Sequence, residues 1–244
     1  MILAATLFCA LFFAALHLGV VRMGALHGSR RSGWLSAAGG IAVAYVFLHV
    51  LPDLIEHNEV LRGATGAGDW IADRIVYFVA LTGLVVFYVL ERNIQESRRR
   101  HLASHGIDRP HDHVFWVHIG AFAVTNLLIG YLLLHREVPG FVSLALFAVA
   151  LGVHMLASDV GLLLHHRALY RARARWVLAA SVLLGWLLGA VVALPEAGIS
   201  LIFAFLAGSV IMNVIKDELP AERDSRVLPF VLGTSLYAAI VLAV

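Results

Sequence analysis

The sequence is poor in cysteine and in charged residues. Cys9 is its only cysteine, so an intrachain disulfide is excluded. Asp, Glu, Lys and Arg make up 14% of the chain, against about 25% in an average soluble domain, whereas 61% of the residues are hydrophobic. No phosphate-binding loop of the GxxxxGK[ST] kind is present, which argues against ATP as a source of energy. This composition indicates an integral membrane protein.

Long apolar runs separated by short polar gaps predict the membrane topology. A helix that crosses the hydrocarbon layer needs about 20 apolar residues, and we identify eight such runs. The predicted spans are residues 2–21, 34–56, 75–91, 114–134, 139–164, 176–194, 199–215 and 227–243. They leave no room for a second domain, so we predict that residues 1–244 form a single all-α membrane domain.

The distribution of positive charge predicts the orientation of these spans. Of the 18 Lys and Arg residues, fifteen lie in the gaps after spans one, three, five and seven. Because loops rich in Lys and Arg remain in the cytoplasm, both termini are expected outside it. The gap after span three becomes a cytoplasmic loop, residues 93–113, that contains four histidines. Its arginines are expected to contact anionic lipid headgroups, and the net charge of +2 gives no sign of nucleic-acid binding.

Spans two and seven contain an internal repeat. An offset of 168 residues places Gly40 on Gly208 and Pro52 on Pro220. In the predicted topology span two runs outward and span seven inward, so the repeat is inverted and relates the first three helices to the last three. Inverted repeats are typical of secondary transporters, which hold substrate near the bilayer midplane. The alternative is a chance similarity between two helices rich in Gly and Ala.

The same two spans contain short motifs that resemble those of a known family. These are Gly39-Gly40 with His49-x-x-Pro52-Asp53 in span two, and Ala207-Gly208 with Asp217-x-Leu219-Pro220 in span seven. Together with eight spans and a His-bearing cytoplasmic loop, they resemble the ZIP (Zrt/Irt-like) family of divalent metal transporters. The resemblance implies that zinc, iron or manganese is the substrate and that the protein is not an enzyme. It also implies a metal centre in spans four and five, although this chain departs from the family signatures HNxxD/E and HExxH/E there.

Span five contains the best candidates for metal ligands. His154 aligns with the first histidine of the family signature, whereas Met155 and Ser158 replace two of its other residues. His154 and Ser158 are four residues apart and share a helix face, but Asp159 points about 140° away from His154. An imidazole and a carboxylate suit Zn²⁺, Fe²⁺ or Mn²⁺. The alternative is a buried hydrogen-bonded pair.

Three further polar residues in the predicted spans are candidates. His118 lies on the same face of span four as Thr125, and the two could form a polar track toward the cytoplasm. Asn126 could offer its amide oxygen to an ion or join two helices by a hydrogen bond. In span two, His49 lies close to Asp53 and could belong to an external mouth that attracts cations. An ordinary solvated helix end is the alternative for His49.

The sequence therefore leaves three functions open. The first is a ZIP-like carrier of a divalent metal cation, with no catalytic residues. The second is a non-transporting relative that acts as a metal sensor or as a regulatory or structural membrane protein. The third is an intramembrane metal-dependent hydrolase, since His and Asp in a helix bundle could activate water. Gly185 and Gly189 in span six have the GxxxG spacing that permits close helix contact, within one chain or in a homodimer.

Overall fold

The protein is helical in the part that the computed structural model describes. That part comprises residues 1–22, 33–65, 70, 73–106, 109–136, 140–218 and 226–243. It contains eight helical runs and no strand. In chain order they are α1 (Ile2–Gly19, followed by a 3₁₀ turn at Val20–Arg22), α2 (Gly33–Tyr45, a π turn at Val46–Val50, and Leu51–Thr65), α3 (Ile75–His105), α4 (Asp112–Leu132), α5 (Phe141–His165), α6 (Arg167–Val191, with a π turn at Tyr170–Ala174), α7 (Glu196–Glu218) and α8 (Val227–Ala243).

The helix lengths fit a multi-pass membrane protein. Helices α1 to α7, as far as they are described, are long and apolar enough to cross a membrane. Helix α8 is apolar but shorter, with 17 residues. Each of the eight predicted spans coincides with one of these helices. The hydropathy pattern thus predicts the helical framework, because a lipid-crossing helix must be both long and apolar.

Helix α3 is longer than the sequence predicts. The predicted span ends at residue 91, whereas the helix continues to His105, so residues 93–105 of the predicted loop are helical. Side-chain pairs one turn apart favour the helix here, since Arg100 Nε donates to Glu96 Oε1 at 2.8 Å. The helix ends where Gly106 adopts a left-handed conformation with φ of +67°.

Helix α2 also continues past its predicted end. Proline commonly ends or kinks a helix, but α2 passes through Pro52 and continues to Thr65. Proline lacks an N–H and crowds the carbonyl group four residues earlier, here that of Leu48. The wider π turn at Val46–Val50 contains Leu48, and we attribute the continuous helix to this turn.

Glycines bring three pairs of helices into backbone contact. A Cβ atom at Gly208 of α7 would overlap the carbonyl oxygen of Ala80 in α3, and one at Gly40 of α2 would overlap that of Phe230 in α8. Gly185 of α6 lies in the same way against α4, and Gly189, the other glycine of the GxxxG spacing, also meets the α4 backbone. Small residues permit such approach in lipid, where packing holds helices together. Both glycines of this pattern are therefore used within the chain, and the pattern gives no separate support for a dimer.

Candidate functional site

A small buried cavity lies between α1, α4 and α5. The volume open to the centre of a water-sized sphere is ≈ 10 Å³, about the minimum for one water molecule or ion. Its lining residues are His17, Phe122, Thr125, Asn126, Ile129, His154, Met155, Ser158 and Asp159. Four of the six candidate site residues thus meet at one place.

Helix α5 supplies three of the polar side chains around the cavity. His154 and Asp159 are 6% and 1% exposed, so both point away from lipid. Both side chains line the cavity, so their angular offset along the helix does not keep them from sharing one site. Ser158 is also buried, and its hydroxyl has no hydrogen-bond partner among the described residues. An unsatisfied buried hydroxyl beside an imidazole and a carboxylate is suited to a polar guest.

His17 of α1 is a central residue of the site that the sequence analysis missed. Its Nδ1 lies 2.6 Å from Oδ2 of Asp159, and its Nε2 lies 2.9 Å from Oδ1 of Asn126. The ring is 1% exposed and joins three helices. One signal was available in the sequence, because a histidine inside an apolar span is costly and points to a function by default.

The hydrogen bonds around Asn126 determine its orientation. Its amide nitrogen donates to the carbonyl oxygen of Phe122 at 2.8 Å, so the amide oxygen faces His17. An amide oxygen can only accept, and Nε2 of His17 must therefore carry a hydrogen. The amide oxygen thus accepts from His17 and joins α4 to α1, the alternative to offering this oxygen to an ion.

Tyr170 of α6 also contacts this network. Its side chain is fully buried at 0% exposure, and its hydroxyl donates to the backbone carbonyl oxygen of His17 at 3.3 Å. The same hydroxyl lies within hydrogen-bonding reach of the Asp159 carboxyl group. Asp159 of α5 is therefore bonded to α1 through His17 and lies beside Tyr170 of α6.

His118 is not part of the cavity lining. It is buried, and its ring stacks on Phe122 with a centroid distance of 4.9 Å. It interacts electrostatically with Glu91 of α3, which also pairs with Lys216 at 3.1 Å. His118 and Thr125 therefore do not line the cavity together, since only Thr125 does. Neighbouring helices decide which way a buried ring points, and helical spacing alone does not.

His49 lies in a second, larger cavity of ≈ 430 Å³. Asp53 and His57, one and two turns further along α2, line the same space. Nδ1 of His49 lies 3.2 Å from the Tyr237 hydroxyl, and Nδ1 of His57 lies 3.0 Å from the Ser200 hydroxyl. The cavity also includes the α4–α5 connection, with His135, Arg136 and Gly140, which is an external gap in the predicted topology. His49 is thus separate from the His154 site.

The histidines at the end of α3 form a cluster with those that precede and begin α4. The rings of His101 and His111 stack with centroids 4.4 Å apart, and His105 and His113 flank them. Desolvation lowers the pKa of His111, and the neighbouring histidines lower it further. Both effects favour the neutral form of the His111 ring.

Neither a ligand cluster nor a relative identifies the protein. In the described ranges, no group of three or more His, Cys, Asp or Glu side chains could hold a metal ion. Comparison with protein-family models and with curated proteins finds no match for the sequence.

Proposed function

We propose that this protein is a carrier of divalent metal cations, similar to the ZIP family, and that the cation binds in the small cavity between α1, α4 and α5. One observation carries the proposal. His154, Ser158 and Asp159 converge on a single cavity inside a bundle of apolar helices. Burying such groups in a membrane protein is costly, and buried ionisable residues typically line substrate or ion pathways.

The donor types define the class of cation. His154 offers an imidazole nitrogen, Asp159 a carboxylate oxygen and Ser158 a hydroxyl oxygen. A mixed set of nitrogen and oxygen donors suits zinc, iron(II) or manganese(II) better than a soft monovalent metal, which prefers sulfur. The volume of ≈ 10 Å³ fits a single, largely dehydrated ion.

The proposal includes eight spans, termini outside the cytoplasm and an inverted repeat. Such a repeat relates α2 to α7 and α8 to α3, so it should also relate the α2–α8 contact to the α7–α3 contact. Gly40 makes the first contact and Gly208 the second, each against a backbone carbonyl group. This match supports the repeat, while Leu219 and Pro220 lie outside the described residues. Transport then proceeds by movement of one helix group against another.

Metal uptake into proteoliposomes tests the proposal. We expect uptake by the wild-type protein and its loss in His154→Ala and Asp159→Ala. His118→Ala is a matched control, because His118 is a buried histidine outside the cavity, and this variant should retain uptake. Undiminished uptake in both site variants would remove the proposed site. A wild-type protein that carries none of zinc, iron(II) and manganese(II) refutes the carrier.

A non-transporting metal sensor is the second candidate. It is favoured by the pairing of Asp159 with His17, which occupies one carboxylate oxygen, and by the missing third ionisable ligand in the described ranges. A purified protein that binds metal without moving it across a bilayer supports the sensor. Measuring bound metal and uptake on the same preparation separates the two functions.

A further inference from the structure

We infer that His17 is a positioning residue of the cation site: it fixes the Asp159 carboxylate through Nδ1 while Asn126 fixes His17 through Nε2. The inference rests on the proposed function, since it takes Asp159 as a ligand of the cation. It adds α1 to a site that the sequence motifs assign to spans four and five alone.

The geometry makes His17 a poor ligand but a good support. Imidazole binds a metal through a ring nitrogen lone pair, and both ring nitrogens of His17 already have oxygen partners, at 2.6 Å and 2.9 Å. Nε2 must carry a hydrogen because the oxygen of Asn126 can only accept. His17 therefore has no donor atom left for a cation while this arrangement is intact.

The hydrogen-bonded chain that ends at Asp159 begins at a backbone carbonyl group of α4. It runs from the Phe122 carbonyl oxygen through Asn126 and His17 to Asp159, and its three bonds measure 2.8, 2.9 and 2.6 Å. All three side chains are 3% exposed or less, so water does not compete for these bonds. Carboxylate ligands in metal sites are commonly held in this way, and removal of the support weakens metal binding about 10- to 100-fold.

This assignment changes the expected donor set. Oδ2 of Asp159 is engaged by His17, which leaves the other carboxylate oxygen for the cation, together with His154 and Ser158. Asn126 becomes a support for His17 and is no longer a ligand. Because the support comes from α1, a shift of α1 against α5 would release Asp159 and weaken the site.

Metal affinity of the purified protein tests the inference. Zinc, iron(II) and manganese(II) are titrated into the wild-type protein, His17→Leu, His17→Gln and Asn126→Leu in competition with a chromophoric chelator. We expect about 10- to 100-fold weaker binding for His17→Leu. His17→Gln should lose less, because its amide can still donate to Asp159. In an Asp159→Asn background, His17→Leu should have little further effect.

Thr6→Val provides the matched control. Thr6 is also a polar residue of α1 at 1% exposure, and its hydroxyl accepts a hydrogen bond from Trp186 Nε1 at 3.1 Å, away from the cavity. Its loss should lower stability but leave metal affinity unchanged. The infrared carboxylate band that disappears in Asp159→Asn should shift in His17→Leu and stay unchanged in Thr6→Val, with or without metal.

The possible outcomes are distinct. Unchanged or tighter metal binding in His17→Leu overturns the positioning role while the proposed site stands. An equal loss of affinity in Thr6→Val shows a merely structural effect and overturns it as well, as does an unshifted Asp159 band. A wild-type protein that binds none of the three metals refutes the proposed function, and the inference fails with it.

Discussion

The buried pair of His17 and Asp159 makes a quantitative prediction about stability. Both side chains are 1% exposed and their nearest atoms are 2.6 Å apart. Removing one partner of a buried ion pair costs about 3–5 kcal/mol, because the remaining group stays buried without its partner. We therefore expect His17→Leu and Asp159→Leu each to lower the free energy of unfolding by about 3 kcal/mol or more.

The double variant should be much less destabilised than the two single variants combined. Leucine has nearly the shape of aspartate, and replacing both members of a buried pair by apolar residues is often close to neutral. The amide oxygen of Asn126 then loses its partner, which costs about 1–3 kcal/mol and limits the recovery. We expect a coupling energy of about 2 kcal/mol, within the usual range for contacting residues.

Unfolding in mixed detergent micelles measures this cycle. The four proteins are titrated with a denaturing detergent, and the loss of helicity gives the free energies of unfolding. Thr6→Val in place of His17→Leu provides a control cycle with Asp159→Leu that should show no coupling, because the two residues belong to separate hydrogen-bonded groups. Additive effects of His17→Leu and Asp159→Leu would refute the reasoning.

Three further predictions concern packing, pH and access. Gly208→Ala should lower the yield of folded protein and its melting temperature, because the added methyl group would overlap an α3 carbonyl oxygen. Gly161→Ala should change neither, because the space around Gly161 is open, and size-exclusion profiles and melting curves compare the two variants. His166 is buried, and its Nε2–H donates to the Pro110 carbonyl oxygen at 2.8 Å. Burial lowers its pKa, so below pH 6.5 the unfolded chain binds a proton at this histidine more readily than the folded protein does. Stability should therefore fall on acidification, by at most about 1.4 kcal/mol per pH unit for this group, and His166→Asn should reduce the slope in melting curves from pH 7.5 to 5. The access prediction uses cysteine variants in a background without the native cysteine. Ser143→Cys, in the cavity of ≈ 430 Å³, should react with a membrane-impermeant maleimide added outside oriented vesicles, whereas Ser158→Cys, in the small cavity, should not. If Ser143→Cys reacts only from the inside of the vesicles, the proposed orientation is wrong.

The candidate site was predictable only in part. His154, Ser158 and Asp159 stand out in the sequence because polar residues are rare and costly in an apolar span. Their spacing on α5 does not determine whether Asp159 and His154 line the same cavity, because that depends on where α1 and α4 pack. His118 is likewise a polar residue in an apolar span, but it stacks on Phe122 outside the cavity.

The sequence by itself determined where the helices lie, because each lipid-crossing segment must be long and apolar whatever its neighbours are. It could not set the ends of α2 and α3, which local side-chain pairs and a π turn extend beyond the apolar runs. Only the tertiary structure decided the partners of Asp159. His17 lies 142 residues earlier in the chain, and the packing of α1 against α5 brings the two side chains together. A hydropathy pattern constrains each helix separately, whereas a hydrogen bond between helices depends on how several of them pack at once.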